Sequence, residues 1–421
     1  MLEPRIDTER TLFHLTSEEK RVPAYLSLQQ PVKANKVTRD TPLEDLNLNW
    51  TERDLPEKER TKHVHRLHPY LGKFIPQLVE VFLRKYFEQG QTIFDPFCGS
   101  GTALVQANEM GINAIGYDIS EFNILLCKAK LEHYDIKQVR SEIFDILAKL
   151  RSTIHSREKQ TKLWADSPDD FTPVNTDEYM RKWFAPRALN ELLTYRYLIE
   201  KGNYRYQDLL KVILSRSARS ARLTTHYDLD FPKIPQVEPY WCYKHARMCS
   251  PVNEAFRFLA RYSIDTFHRI EEFSRLWTNA RYAIHHADSR NVKLPPIDGV
   301  ITSPPYVGLI DYHEQHAYAY HLLGLKDRRS EEIGAAANGS GYEAQRQYQA
   351  NIVKVFQNAV TAIPYGGRLV VIVHDRANLY NEIALKCGVE VDAVLERHVN
   401  RRTGRRSNEF FESVFVWRKT A

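Results

Sequence analysis

The sequence predicts an α/β protein, a doubly wound and mostly parallel Rossmann-like sheet interrupted by a large helical insertion. Two observations carry that prediction. Strand, helix, strand and helix alternate over residues 76–134 with the spacing of a βαβ unit, and the same alternation resumes at residue 282. Between the two stretches, apolar residues recur with helical rather than strand period.

In chain order, residues 1–60 are polar and read as an arm with little core of its own. Pro76 opens a helix through QLVEVFLRKYF, since proline is tolerated in a first turn. QTIFDPF reads as a short buried strand, TALVQANEM as a helix stopped by Gly111, and NAIGYD as a second strand. Ser120 caps the next helix, SEFNILLCKAKLEHY. Residues 136–280 then read mainly as helices, including DEYMRKWF, NELLTYRYLI and YQDLLKVILSRSARSARL. The α/β pattern returns with RYAIHHADS and DGVITSPPY. A helix (YQANIVKVFQNAVTAI) and the strands GGRLVVIVHD, VEVDAVLERHV and FFESVFVWRK complete it. The division expected is an arm (1–60), a cofactor half (61–135), a helical insertion that reads the target (136–280) and a catalytic half (281–421). Lys326–Tyr342, with its GAAANGSG run, reads as a loop.

Composition narrows the class. The 421 residues are 43% hydrophobic and 27% charged, which excludes a chain disordered throughout. The formal charge of +6 is too small to identify a nucleic-acid binder without its distribution. Five scattered cysteines form no CxxC pair and fit reduced thiols. With neither a signal-peptide core nor a membrane-length apolar run, the expected location is the cytoplasm.

The turn Phe94-Asp95-Pro96-Phe97-Cys98-Gly99-Ser100-Gly101-Thr102 lies where strand passes into helix. Glycines there let the backbone bend sharply and approach a ligand. Asp118 closes the next strand, where a carboxylate can accept both ribose hydroxyls of a nucleoside. A dinucleotide site would need the longer GxGxxG pattern, which is absent. Asp288, after a further strand, could reach an adenine amino group or simply cap its turn.

Thr302-Ser303-Pro304-Pro305-Tyr306 ends the strand DGVI, where open α/β sheets place their ligands. Two prolines remove two amide donors and stiffen the chain. The Ser303 hydroxyl and nearby carbonyls could hold an exocyclic amine by its hydrogens, and Tyr306 offers a face for an extruded base.

Together DPFCGSGT, GYDIS, HADSR and TSPPY resemble the S-adenosylmethionine-dependent DNA amino-methyltransferases. Serine before the proline pair is typical of the cytosine-N4 branch, and the association is with restriction-modification. The resemblance covers about residues 65–130 and 282–418. It implies S-adenosyl-L-methionine as cofactor, held by Asp95, Phe97, Gly99, Gly101, Thr102, Asp118, Ile119 and Asp288. HPYLGKFIPQL resembles the cofactor-closing segment, with Lys73, Phe74 and Pro76 as contacts. Ser303, Pro304, Pro305 and Tyr306 match the catalytic motif. The long insertion between Asp118 and Asp288 departs from the usual placement of the target-reading region.

Two basic regions are candidates for DNA contact. Residues 397–406 hold five arginines and no acid; Arg401, Arg402, Arg405 and Arg406 would touch phosphates or base edges. In the insertion, Arg216, Arg219 and Arg222 recur every third residue along one helix face. Cys242, His245 and Cys249 could ligate zinc, but no fourth ligand stands at a sensible spacing, so no metal is expected.

The expected function is site-specific methylation of cytosine N4 in double-stranded DNA with base flipping, in a prokaryotic cell where a cognate restriction endonuclease could act separately. Cytosine-C5 methylation would need a nucleophilic cysteine, typically in a Pro-Cys dipeptide, and none occurs. The alternatives are adenine-N6 DNA methylation, RNA guanine-amine methylation and a non-catalytic DNA-binding protein.

Overall fold

The computed structural model describes residues 21–22, 30–70, 72, 74–163, 177–308, 311–335, 339–399 and 410–420. Its strands are β1 (Arg21–Val22), β2 (Thr92–Asp95), β3 (Asn113–Asp118), β4 (Tyr240–Cys242), β5 (Arg247–Cys249), β6 (Tyr282–His286), β7 (Gly299–Thr302), β8 (Arg368–Val373), β9 (Val389–Val399) and β10 (Phe410–Lys419). Eight of them form one sheet in the order β1-β9-β10-β8-β7-β2-β3-β6, and β4 and β5 pair separately. β2 is parallel to both β3 and β7, β3 to β6, and β7 to β8, while β10 runs antiparallel to β8 and β9. From β2 the chain steps outward through β3 to β6. It then crosses to the other side with β7. The strand order therefore reverses between β2 and β7, and a doubly wound sheet opens a crevice at that point.

The helices are α1 (Glu57–Arg60), α2 (Pro76–Tyr86), α3 (Thr102–Glu109), α4 (Glu121–Leu131), α5 (Ile136–Leu163), α6 (Glu178–Trp183), α7 (Pro186–Lys201), α8 (Gln207–Ala221), α9 (Phe256–Ser274), α10 (Tyr312–Gln315), α11 (Ala317–Leu323), α12 (Tyr342–Ala362) and α13 (Tyr380–Cys387). Pro76 stands in the first turn of α2, and the Ser120 hydroxyl caps α4 by accepting from the Asn123 amide. Helices α5–α9 fall within the insertion and share one apolar cluster with α2, α3 and α4.

Two expectations need correction. The segment 34–55 is not an arm without a core, because Leu46, Leu48, Trp50 and Leu55 are buried in that same cluster. The insertion, read as mainly helical, also contains a β-hairpin, β4–β5, which that reading did not include. No described helix is long and apolar enough to cross a membrane.

Candidate active site

At the strand-order reversal, the turn after β2 and the motif after β7 face one cavity. Phe74, Phe97, Gly99, Thr102, Asp118, Ile119, Asp288, Ser303 and Pro305 all line it. The two motifs are joined behind the wall. The Thr302 hydroxyl donates to Asp95 Oδ1 at 2.6 Å, and the Phe97 amide donates to the same oxygen at 3.1 Å. Asp95 Oδ2 is buried without a described partner. Burial pushes this carboxyl up to about 7, against the hydrogen bonds from Thr302 and Phe97 that favour its ionised form.

The glycines follow from geometry. Gly101 caps α3 with φ +79°, and a Cβ there would stand 2.9 Å from Cys127 Sγ. Gly99 has φ +48°, and its amide donates to Asp118 Oδ2 at 2.9 Å. Asp118 Oδ1 accepts from the Ser120 amide at 2.8 Å and from Asn123 Nδ2 at 3.1 Å. Thus the carboxylate at the end of β3 ties the glycine turn to the start of α4. Burial raises its pKa, opposed by these three N–H donors. Asp288 is held by Arg290, whose Nη2 donates at 2.7 Å and whose backbone amide donates at 2.9 Å.

Sequence reasoning missed part of the wall. Tyr70, Tyr312 and Glu332 also line the cavity. Tyr70 stacks on Tyr312 with ring centroids 5.8 Å apart. Glu332 pairs through Oε1 with His313 Nδ1, leaving a buried Oε2 without a described partner. Glu332 belongs to the glycine-bearing stretch read as a loop, and no periodic pattern marks it.

The proline motif stands between two recesses. Ser303 and Pro305 line the first cavity; Tyr306 lines a second, with His374, Asp375, Tyr348 and Tyr380. The Pro305 carbonyl already accepts from the Tyr348 hydroxyl at 2.9 Å. Among the described residues nothing donates to the Pro304 carbonyl. Tyr306 is 7% exposed, and its hydroxyl donates at 3.2 Å to Glu412, which pairs with Arg397 at 2.7 Å.

The remaining expected residues fall elsewhere. Pro76 is buried in the first turn of α2 and lies off the cavity wall, as do Asp95, Gly101 and Pro304. Lys73, Arg401, Arg402, Arg405 and Arg406 lie outside the described residues. Val399 and Phe410, which flank those last four arginines, pair at the edge where β8 ends.

The expected arginine face on α8 is corrected. Arg216 is buried, donates to Asp265 at 2.6 Å and lies over the Tyr262 ring. Arg219 bonds Asp230, and Arg222 is buried against the Tyr318 ring with a bond to the Leu229 carbonyl. Three-residue spacing aligned them on one face, but that face packs against α9 and α11. Among the exposed cations of the insertion, Lys244, Arg247, Arg257 and Arg261 line an open groove beside the β4–β5 hairpin.

The donor set of the main cavity fits the cofactor that the motifs imply. Its described wall carries the carboxylates Asp118, Asp288, Glu331 and Glu332 and no lysine or arginine. Such a wall suits a cationic ligand with hydroxyls, and is wrong for nucleotide phosphates. The orphaned Glu332 Oε2 is consistent with a polar nucleoside ligand.

Known proteins place these features in a family. A family model described as DNA methylase matches residues 7–128, and one described as D12 class N6 adenine-specific DNA methyltransferase matches residues 72–219. The Type II methyltransferase M.MjaII of Methanocaldococcus jannaschii is 39% identical, over 86% of this chain and 81% of its own length. M.MvaI of Kocuria varians is 24% identical over 58% of this chain, and M.BsoBI of Geobacillus stearothermophilus 24% over 66%. The chain spans about half the length of these latter two, 53% and 56% respectively.

Proposed function

The chain belongs to the Type II DNA methyltransferases, and from that premise we propose that it methylates the exocyclic N4 amine of a cytosine flipped out of duplex DNA. Its cofactor is S-adenosyl-L-methionine, which when bound supplies an electrophilic methyl group on a sulfonium centre. The observation that carries the reading is the shared wall: Gly99 and Ser303 line one cavity at the sheet's reversal point.

In this reading Asp118 accepts the ribose hydroxyls, and the carboxylate-lined wall favours the positive charge of the cofactor. Ser303 Oγ, on the cavity wall, accepts one amine hydrogen. The Pro304 carbonyl, off that wall in the motif between the two recesses, accepts the other as the base enters, which aims the nitrogen lone pair across the cavity. The base enters from the second recess and stacks on Tyr306, whose hydroxyl is anchored by Glu412. Phosphate contacts come from Lys244, Arg247, Arg257 and Arg261.

Adenine-N6 methylation is the second reading, favoured by the D12 match. That match ends at residue 219, well before Ser303, so it bears on the cofactor half rather than on the base-holding motif. Serine in that motif supports the cytosine assignment.

The test is methyl transfer from labelled cofactor to duplex DNA, with transfer RNA as the competing acceptor. Duplex DNA should take the label. Ser303→Ala should lower kcat by about a hundredfold, the low end of what losing one transition-state contact costs, with cofactor affinity unchanged. Label in transfer RNA alone would refute the proposal.

A further inference from the structure

Outside the active site, the β4–β5 hairpin gathers four metal-ligating side chains. Cys242 ends β4, Cys249 ends β5, His245 lies in the turn between them, and His226 arrives from the segment after α8. One ligand atom from each lies within 4.8 Å of all the others. Cys242 Sγ is 3.4 Å from His226 Nδ1 and 3.5 Å from His245 Nδ1, and Cys249 Sγ is 3.5 Å from His245 Nδ1. Tetrahedral zinc, with bonds of about 2.3 Å to sulfur and about 2.0–2.1 Å to nitrogen, sets a sulfur and a nitrogen ligand about 3.5–3.6 Å apart. From this geometry we infer a structural zinc site formed by His226, Cys242, His245 and Cys249.

Three further features agree. A two-stranded hairpin with three residues per strand is at best marginally stable alone, and this one stands apart from the main sheet. It exposes Trp241, Tyr243 and Met248 rather than burying them, so its large side chains contribute little core. Ala246, directly after His245, takes a left-handed φ of +48°, a conformation that persists where surrounding contacts enforce it. Two thiolates balance the ion's charge. Binding costs one hydrogen bond, because the Tyr240 hydroxyl now lies 2.8 Å from His226 Nδ1; the His226 amide still holds that hydroxyl at 3.1 Å. The site fixes the wall of the groove that carries Lys244 and Arg247.

The full chain, produced with added zinc and purified without chelator, should carry about one zinc per chain by elemental analysis, as a closed four-ligand site requires. Cobalt substitution should give the visible bands of a tetrahedral site and near-ultraviolet thiolate charge transfer. Cys242→Ser should weaken zinc affinity by more than about tenfold, since losing only an outer-shell partner of a ligand already costs about 10–100-fold. Cys387→Ser, a cysteine outside the cluster, should leave it unchanged, and Tyr240→Phe should retain or tighten binding. Wild-type protein holding no zinc after reconstitution and dialysis, or a cobalt form without thiolate charge transfer, would overturn the site. Should Cys242→Ser prove insoluble, the wild-type cobalt spectrum decides alone.

Discussion

The Thr302 hydroxyl donates to Asp95 Oδ1 at 2.6 Å, joining the last residues of two adjacent parallel strands. Both residues are buried, so water cannot replace the bond. It sets the distance between the glycine turn and the proline motif. Thr302→Val keeps the shape and removes the donor. Stability should fall by about 1–3 kcal/mol, the cost of leaving a buried polar partner short, and cofactor affinity should fall with it. Thermal unfolding and calorimetric titration measure the two.

Asp95 also makes a pH prediction. Burial pushes its folded pKa up to about 7, against about 4 in the unfolded chain. Between those values the native state holds a proton that the unfolded state has released. Stability therefore falls as pH rises from about 4 to about 7, then levels off. Asp95→Asn removes this titration. Without cofactor, wild-type Tm minus variant Tm should decline from about pH 5 to about pH 7; a difference that rises would contradict the assignment.

Gly101 and Gly90 separate backbone strain from crowding. Both have positive φ, +79° and +86°, but only Gly101 would press a Cβ against a neighbour, Cys127 Sγ at 2.9 Å. Gly90→Ala should cost about 1–2 kcal/mol, the left-handed penalty alone. Gly101→Ala should cost more and weaken cofactor binding. Adding Cys127→Ala should recover only the excess, which a double-mutant cycle in denaturant measures.

Arginines of the insertion divide by role. Arg216→Ala breaks the bond to Asp265 and should cost about 1.5–3 kcal/mol of stability, the range for hydrogen bonds to charged groups. The salt dependence of DNA binding should not change. Arg257→Ala or Arg261→Ala should leave stability within about 0.5 kcal/mol. Each should flatten the slope of log K against log salt by about 0.9. Binding titrations across a salt series discriminate the two behaviours.

Much of this was legible in the sequence because buried parallel strands are short apolar runs and helices repeat every three to four residues. TIFD, NAIGYD and GVIT stand out, and the turns that follow them carry the chemistry. Burial that depends on distant partners was not legible. Leu48 and Trp50 show no period, yet both enter the core. The spacing of Arg216, Arg219 and Arg222 revealed a shared face but not which way it turns. Glu332 lies in a glycine-bearing stretch without pattern. His226 stands sixteen residues before Cys242, and only the folded hairpin brings them together.

The most direct measurement is mass spectrometry of the nucleosides released from duplex DNA after incubation with the chain and S-adenosylmethionine. N4-methyldeoxycytidine is the modified nucleoside expected from an amine held by Ser303 and Pro304. N6-methyldeoxyadenosine in its place would contradict the assignment of the base, and unmodified DNA would contradict the activity itself.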